Sequence, residues 1–193
     1  MNTLLHLTFI MCLPLVSVNA VGMPPRHAET THQMQATTKL SLAEFALYDY
    51  SQILCQQAYK YLGYIGNNYQ RLYIHFSSVT KDAADATLYH VKGASRVRNN
   101  VCNFAGTIHL KGVSEDKENR FGKLKQYLLT GEYDLCEDQQ QPGSGRFRGK
   151  NTFGFYLYNN QVRFDDLTYM VSDGYTNNTY EGQWTSYKTG KAK

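Results

Sequence analysis

The chain has 193 residues, 42% of them hydrophobic, 19% charged and 13% aromatic, with a formal net charge of +4. That composition excludes a disordered tail, a collagen-like fibre and a protein of many membrane helices, and it fits one globular domain. The 16 Tyr and 9 Phe against a single Trp favour strands, because rings pack well on a pleated surface.

Residues 4–18 are nearly all apolar and are interrupted by Pro14. The run is short for a membrane span, and Val18-Asn19-Ala20 places small residues where a signal peptidase reads. Residues 1–20 therefore read as a secretory leader cleaved after Ala20, which predicts a secreted, periplasmic or extracellular protein with no transmembrane span left. Cleavage removes Cys12 and leaves Cys55, Cys102 and Cys136, an odd number without Cys-x-x-Cys spacing. That pattern allows one bridge with a leftover thiol, or no bridge, and favours buried apolar side chains over a zinc knuckle. Residues 21–40 are polar, carry Pro24-Pro25 and show no period, so they read as a flexible lead into a single domain over 41–193.

Ser41-Leu42-Ala43-Glu44 has the form of a capping box. Leu42, Phe45, Ala46, Ile53, Leu54, Ala58 and Tyr61 follow at helical spacing, and Gly63 offers a stop. The expectation is one amphipathic helix of about five turns. After Gly66 the period becomes two, beginning with Leu72, Ile74 and Phe76, and further alternating runs lie near 87–98, 101–112, 124–137, 147–158, 161–171 and 179–187. Without a second long helix to carry crossovers, the sheet should be antiparallel.

Two hairpins can be registered from the sequence. A turn at Asn99-Asn100 sets Val97 against Cys102, Val91 against Ile108 and Gly93 against Gly106. A turn at Asn159-Asn160 sets Leu157 against Val162 and Phe155 against Phe164. Gly106, Gly131 and Gly182 each interrupt an apolar face, which suits sharp strand coiling. Together these features predict a mainly β fold: a strongly curved antiparallel sheet of seven or eight strands, closing as a barrel whose form resembles the calycins, with the helix over an open end or the concave face.

The predicted interior is lined by Phe104, Phe155, Phe164 and Trp184, with Asp166 inward beside Asn151 and Thr168. Such an interior would either hold a small apolar ligand or be packed solid, without a cofactor. On the outer face, Lys92, Arg96, Arg98 and Lys111 form a basic stripe suited to an anionic polymer; its hairpin's rings point mostly to the opposite face, so specific nucleic-acid binding is not indicated. The same register makes His90 and His109 direct partners, with His75 one strand over, a less favoured Zn²⁺ or Cu²⁺ arrangement because cations surround it. Glu132 and Asp134 should face outward, with Glu137 and Asp138 close behind, a poor setting for acid–base catalysis. No catalytic triad, P-loop, dinucleotide fingerprint or calcium loop is present, so the reading is non-enzymatic. Asn177-Asn178-Thr179 is a glycosylation acceptor in a eukaryotic secretory pathway.

Overall fold

The computed structural model describes residues 8–12, 39–56, 60–121, 124–167 and 177–193. The rest of the expected leader, the lead segment to residue 38, Thr168 and the turn at 172–174 lie outside the described residues. The elements run β1 (Thr8–Cys12), β2 (Lys39–Leu40), α1 (Leu42–Phe45), α2 (Ser51–Cys55), β3 (Lys60–Ile65), β4 (Gln70–Lys81), β5 (Leu88–Val97), β6 (Asn100–Phe121), β7 (Leu124–Glu137), β8 (Gly145–Tyr158), β9 (Gln161–Phe164) and β10 (Thr179–Ser186).

The fold is mainly β, and each ladder is antiparallel. Strands β3 to β8 pair in chain order. The first half of β8 bonds β10, and its last residues bond β9. Strand β1 lies between β10 and β3, with Phe9 opposite both Tyr180 and Gly63. The sheet is therefore curled and barrel-like, with inward residues of facing strands brought together.

The curl needs places where a side chain is missing. Gly149 and Gly182 are cross-strand partners. A Cβ at 182 would overlap the Arg148 carbonyl oxygen and crowd the Tyr133 hydroxyl and the Gly149 Cα. At that crossing the backbones come closer than any other residue allows.

The expected single helix is replaced by two short helices and a strand. Ser41 makes no side-chain cap bond. The Asp49 carboxylate instead accepts from the Ser51 amide and hydroxyl at 2.9 and 2.6 Å, starting a second helix. Gln56 at φ 32° ends it in the left-handed region. Residues 60–65 then alternate, with Tyr61 and Ile65 buried, and join the sheet. The predicted apolar face survives the break, since Phe45, Ala46, Ile53 and Leu54 are all buried.

The β8–β9 hairpin has the register expected, and Asn159 and Asn160 adopt φ of 50° and 58°. The β5–β6 hairpin differs from expectation. Its turn is Arg98-Asn99, and Val97 faces Asn100. The slip is two residues, so faces are kept and partners change. The physical reason is size matching. Gly93 meets Phe104 rather than Gly106, and the Phe104 ring covers the space a Cβ would fill. Ring over glycine is a favourable cross-strand pairing.

Two groups of rings occupy the interior. Tyr61, Phe76, Phe104, Tyr133 and Tyr180 form one, linked by centroid separations of 5.2–5.8 Å. Phe45 and Tyr50 of the helical segment pack on Tyr127, Phe153 and Phe155 to form the other, which covers one end of the curled sheet.

Because the Gly149–Gly182 crossing has no spare volume, Gly182→Val should lower the unfolding free energy by about 3 kcal/mol, read as a fall in the urea midpoint. An unchanged midpoint would show that the curl does not depend on this contact.

Candidate ligand site at the barrel end

The predicted interior residues divide. Phe104, Phe155 and Trp184 are buried, but Phe104 and Phe155 belong to the packed ring clusters. Phe164 is only half-buried, and Asp166 is exposed. The inward carboxylate is its neighbour. The Asp166 amide bonds the Phe164 carbonyl at 3.0 Å, a tight turn that ends the alternation after β9. Asp165 is thereby buried, and its carboxylate accepts from Gln126 Nε2 at 2.6 Å and the Leu167 amide at 3.1 Å. Asn151 is inward and buried as expected, over Gly131. Asn177 is also buried, and its amide bonds both the N–H and the C=O of Gly154. In the folded chain that side chain is engaged, so the expected glycosylation acceptor is not presented to solvent.

The three histidines do not converge. His90 faces Thr107, His109 faces Leu88, and His75 faces Ala94. His90 instead contacts Asp82 at 2.7 Å, and His109 lies 3.7 Å from Asp85. The hydrogen bond from His90, with the Asp85 and Ala84 amides, pulls the Asp82 carboxyl down to about 2. Among the described residues no group of three or more His, Cys, Asp or Glu is placed to hold a metal.

The stripe cations Lys92, Arg96, Arg98 and Lys111 are exposed as expected. The stripe is not free of acid, however: Lys111 lies 3.5 Å from Glu132. Asp134 is also outward, bound by Arg146 and, at 3.1 Å, by Arg148. Burial works against ionisation of Asp134, but the two guanidiniums outweigh it and hold its carboxyl below the usual value. Cys55 is half-buried, Cys102 buried and Cys136 exposed, all as free thiols.

Glu137 behaves differently from its neighbours. It is 5% exposed and sits at the inward end of β7, in phase with Tyr133 and Leu135. That phase is visible in the sequence and is the signal that could have separated it from Glu132 and Asp134. Its carboxylate accepts from the Ser95 hydroxyl of β5, from Trp184 Nε1 of β10 at 2.9 Å and from the Gly145 amide of β8 at 2.7 Å. One side chain thus ties three other strands together. Burial raises its pKa, and the three donors only partly offset that.

Beside Glu137 lies a cavity of about 200 Å³. Ile65, Val97, Phe147 and Trp184 supply apolar walls, while Arg98 and Lys193 add positive charge. The Lys193 ammonium lies 5.5 Å from the Trp184 ring centre. The arrangement can enclose an apolar body and present a buried carboxyl and two cations to its polar parts. The Ser95 hydroxyl donates to Glu137, with the Cys102 carbonyl oxygen at 3.5 Å, and neither is a strong base for activating a hydroxyl.

Comparison with known proteins finds no counterpart: no family model matches the chain, and neither does any curated protein or solved structure.

Glu137→Ala should cost about 3 kcal/mol, since it leaves Trp184 Nε1, the Gly145 amide and the Ser95 hydroxyl buried without their acceptor. The folded carboxyl titrates above its ordinary value of 4.5. Its stabilising contribution is therefore complete below that value and declines as pH rises through the raised one. The difference in unfolding free energy between wild type and Glu137→Gln should shift against wild type over this window and be flat below it. A pH-independent difference would refute the raised pKa.

Proposed function

We propose that this chain is an exported, non-enzymatic barrel-like protein that holds a small apolar ligand in the cavity beside Glu137. The observation that carries the reading is a recess walled by Trp184, Phe147, Ile65 and Val97, with a hydrogen-bonded carboxyl at its inner side. Few convergent polar groups in an apolar hollow are the usual composition of a ligand site. At about 200 Å³ it is smaller than the roughly 300–1,000 Å³ of sites for drug-sized molecules. The ligand is accordingly a single ring or a short branched chain.

The mid-barrel interior is a weaker candidate, because rings occupy it. In this reading the calycin-like form persists as a cup. The helical segment and its ring cluster cover one end, and the ligand enters at the other. Export rests on the apolar run at 4–18 and the small residues before position 21. A cut after Ala20 removes β1, which pairs between β3 and β10. The intact mass of protein purified from the medium or periplasm reports whether that strand is retained.

Trp184 is the single tryptophan, so its fluorescence reports the cavity wall directly. Titrating the full chain with toluene and with anilinonaphthalene sulfonate should give a saturable change in its emission. Val97→Phe fills the recess and should weaken the response about ten-fold or more while the far-ultraviolet circular dichroism is retained. Emission indifferent to both probes, or an unaltered response in Val97→Phe, removes the cavity as the site.

A further inference from the structure

We propose a second site, on the outer face of β4 and β5 and reaching the cavity rim at Arg98, that binds an acidic polysaccharide. Arg71, Lys92, Arg96 and Arg98 are exposed there, and among the described residues none has a carboxylate within ion-pair distance. This contrasts with the outer face of β6 to β8, where Lys111, Arg146 and Arg148 are each matched by Glu132 or Asp134. These four unmatched cations are brought near one another by register. Arg96 is the partner of Tyr73, Arg71 is the partner of Tyr64, and Leu72 opposite Val97 brings Arg71 beside the turn that holds Arg98. Lys92 lies four residues along β5 from Arg96, about 13 Å. The positive surface is thus an elongated strip across neighbouring strands, a shape for an extended polyanion rather than a single ion.

The rings in the strip narrow the chemistry. The Arg96 guanidinium lies over the Tyr73 ring, 4.3 Å from its centre. Tyr64 and Tyr69 pair with each other at 5.1 Å, although Tyr69 is 71% exposed. A base-stacking surface needs free, parallel ring faces in succession, whereas here Arg96 lies over Tyr73 and Tyr64 and Tyr69 are tilted by 58° to each other. What remains open is the planar edge of Arg96, held by its ring, together with tyrosine hydroxyls. Such guanidiniums match carboxylates and sulfates in two-point hydrogen bonding, and the hydroxyls suit sugar oxygens.

The test uses the full chain and heparin as the probe. Retention on a heparin column should fall steeply with added salt. A variant carrying Arg71→Glu, Lys92→Glu, Arg96→Glu and Arg98→Glu should bind about ten-fold more weakly or worse, and exposed positions leave its thermal transition intact. Lys150→Glu with Lys191→Glu, on other surfaces, should leave retention unchanged. Tyr73→Leu removes the support under Arg96 and should weaken binding about three-fold. The proposal is overturned by a folded four-site variant that elutes with wild type. It is equally overturned if an oligo-dT strand of equal charge displaces the protein from heparin more effectively than free heparin does, which would point to a nucleic acid. Arg98 also lines the cavity, so the Trp184 response is read on a variant carrying only Arg71→Glu, Lys92→Glu and Arg96→Glu, which should weaken heparin retention and keep the cavity response; loss of one without the other distinguishes the two sites.

Discussion

A tightly coiled sheet has less room on its inner face than its residues would fill. The absence of a side chain at a few crossings is what permits the curvature. Gly149 against Gly182 brings β8 and β10 into backbone contact. Gly93 under Phe104 lets a large ring lie flat against the sheet instead of standing off it. Once those approaches are made, inward residues from distant strands meet, and the ring clusters and the carboxyl of Glu137 follow from that meeting. The carboxyl then works as a tie: a group on β7 accepts from β5, β8 and β10 at once. Curvature sets the distances, and the buried acid fixes the strand ends at those distances.

The alternation of residues carried most of the fold, because a period of two is insensitive to local detail. The Asn159-Asn160 hairpin could be registered to the residue because both positions take positive φ, which Asn tolerates. The Arg98-Asn99 turn could not, since Arg98 at φ 55° follows no simple turn preference. There the pairing was decided across strands, by Phe104 seeking Gly93. The helix was over-read for a related reason. Apolar residues from Phe45 to Tyr61 fit a helical stripe, but Asp49 and Gln56 break the chain locally, and Tyr61 finds a better place in the sheet, with its hydroxyl bonding the Leu54 carbonyl at 3.0 Å.

The site was legible in its parts and not in its assembly. Trp184 belonged to the predicted interior, whereas Glu137 was grouped with the outer acids although its phase matches that of Leu135, which is buried. Nothing in one sequence states that Ser95, Gly145 and Trp184 will converge on the same carboxylate. Asp166 illustrates the limit of counting by twos: a tight turn at the end of β9 exchanges the roles of two adjacent acids, and Asp165 takes the buried place. On the outside, the hairpin register found the cations but missed their neighbours. Glu132 sits on one flank, and Tyr73 lies on the strand that the hairpin alone did not include.

The position of β1 carries a consequence for closure. Its backbone completes ladders with both β3 and β10, and β10 in turn bonds β8, so this one strand joins the two ends of the curled sheet. Without it, two rows of backbone amides and carbonyls would face each other across a gap of roughly twice the normal strand spacing, about 10 Å. A chain lacking β1 would have to draw those rows together or accept a replacement strand, so residues 8–12 hold the seam of the curl.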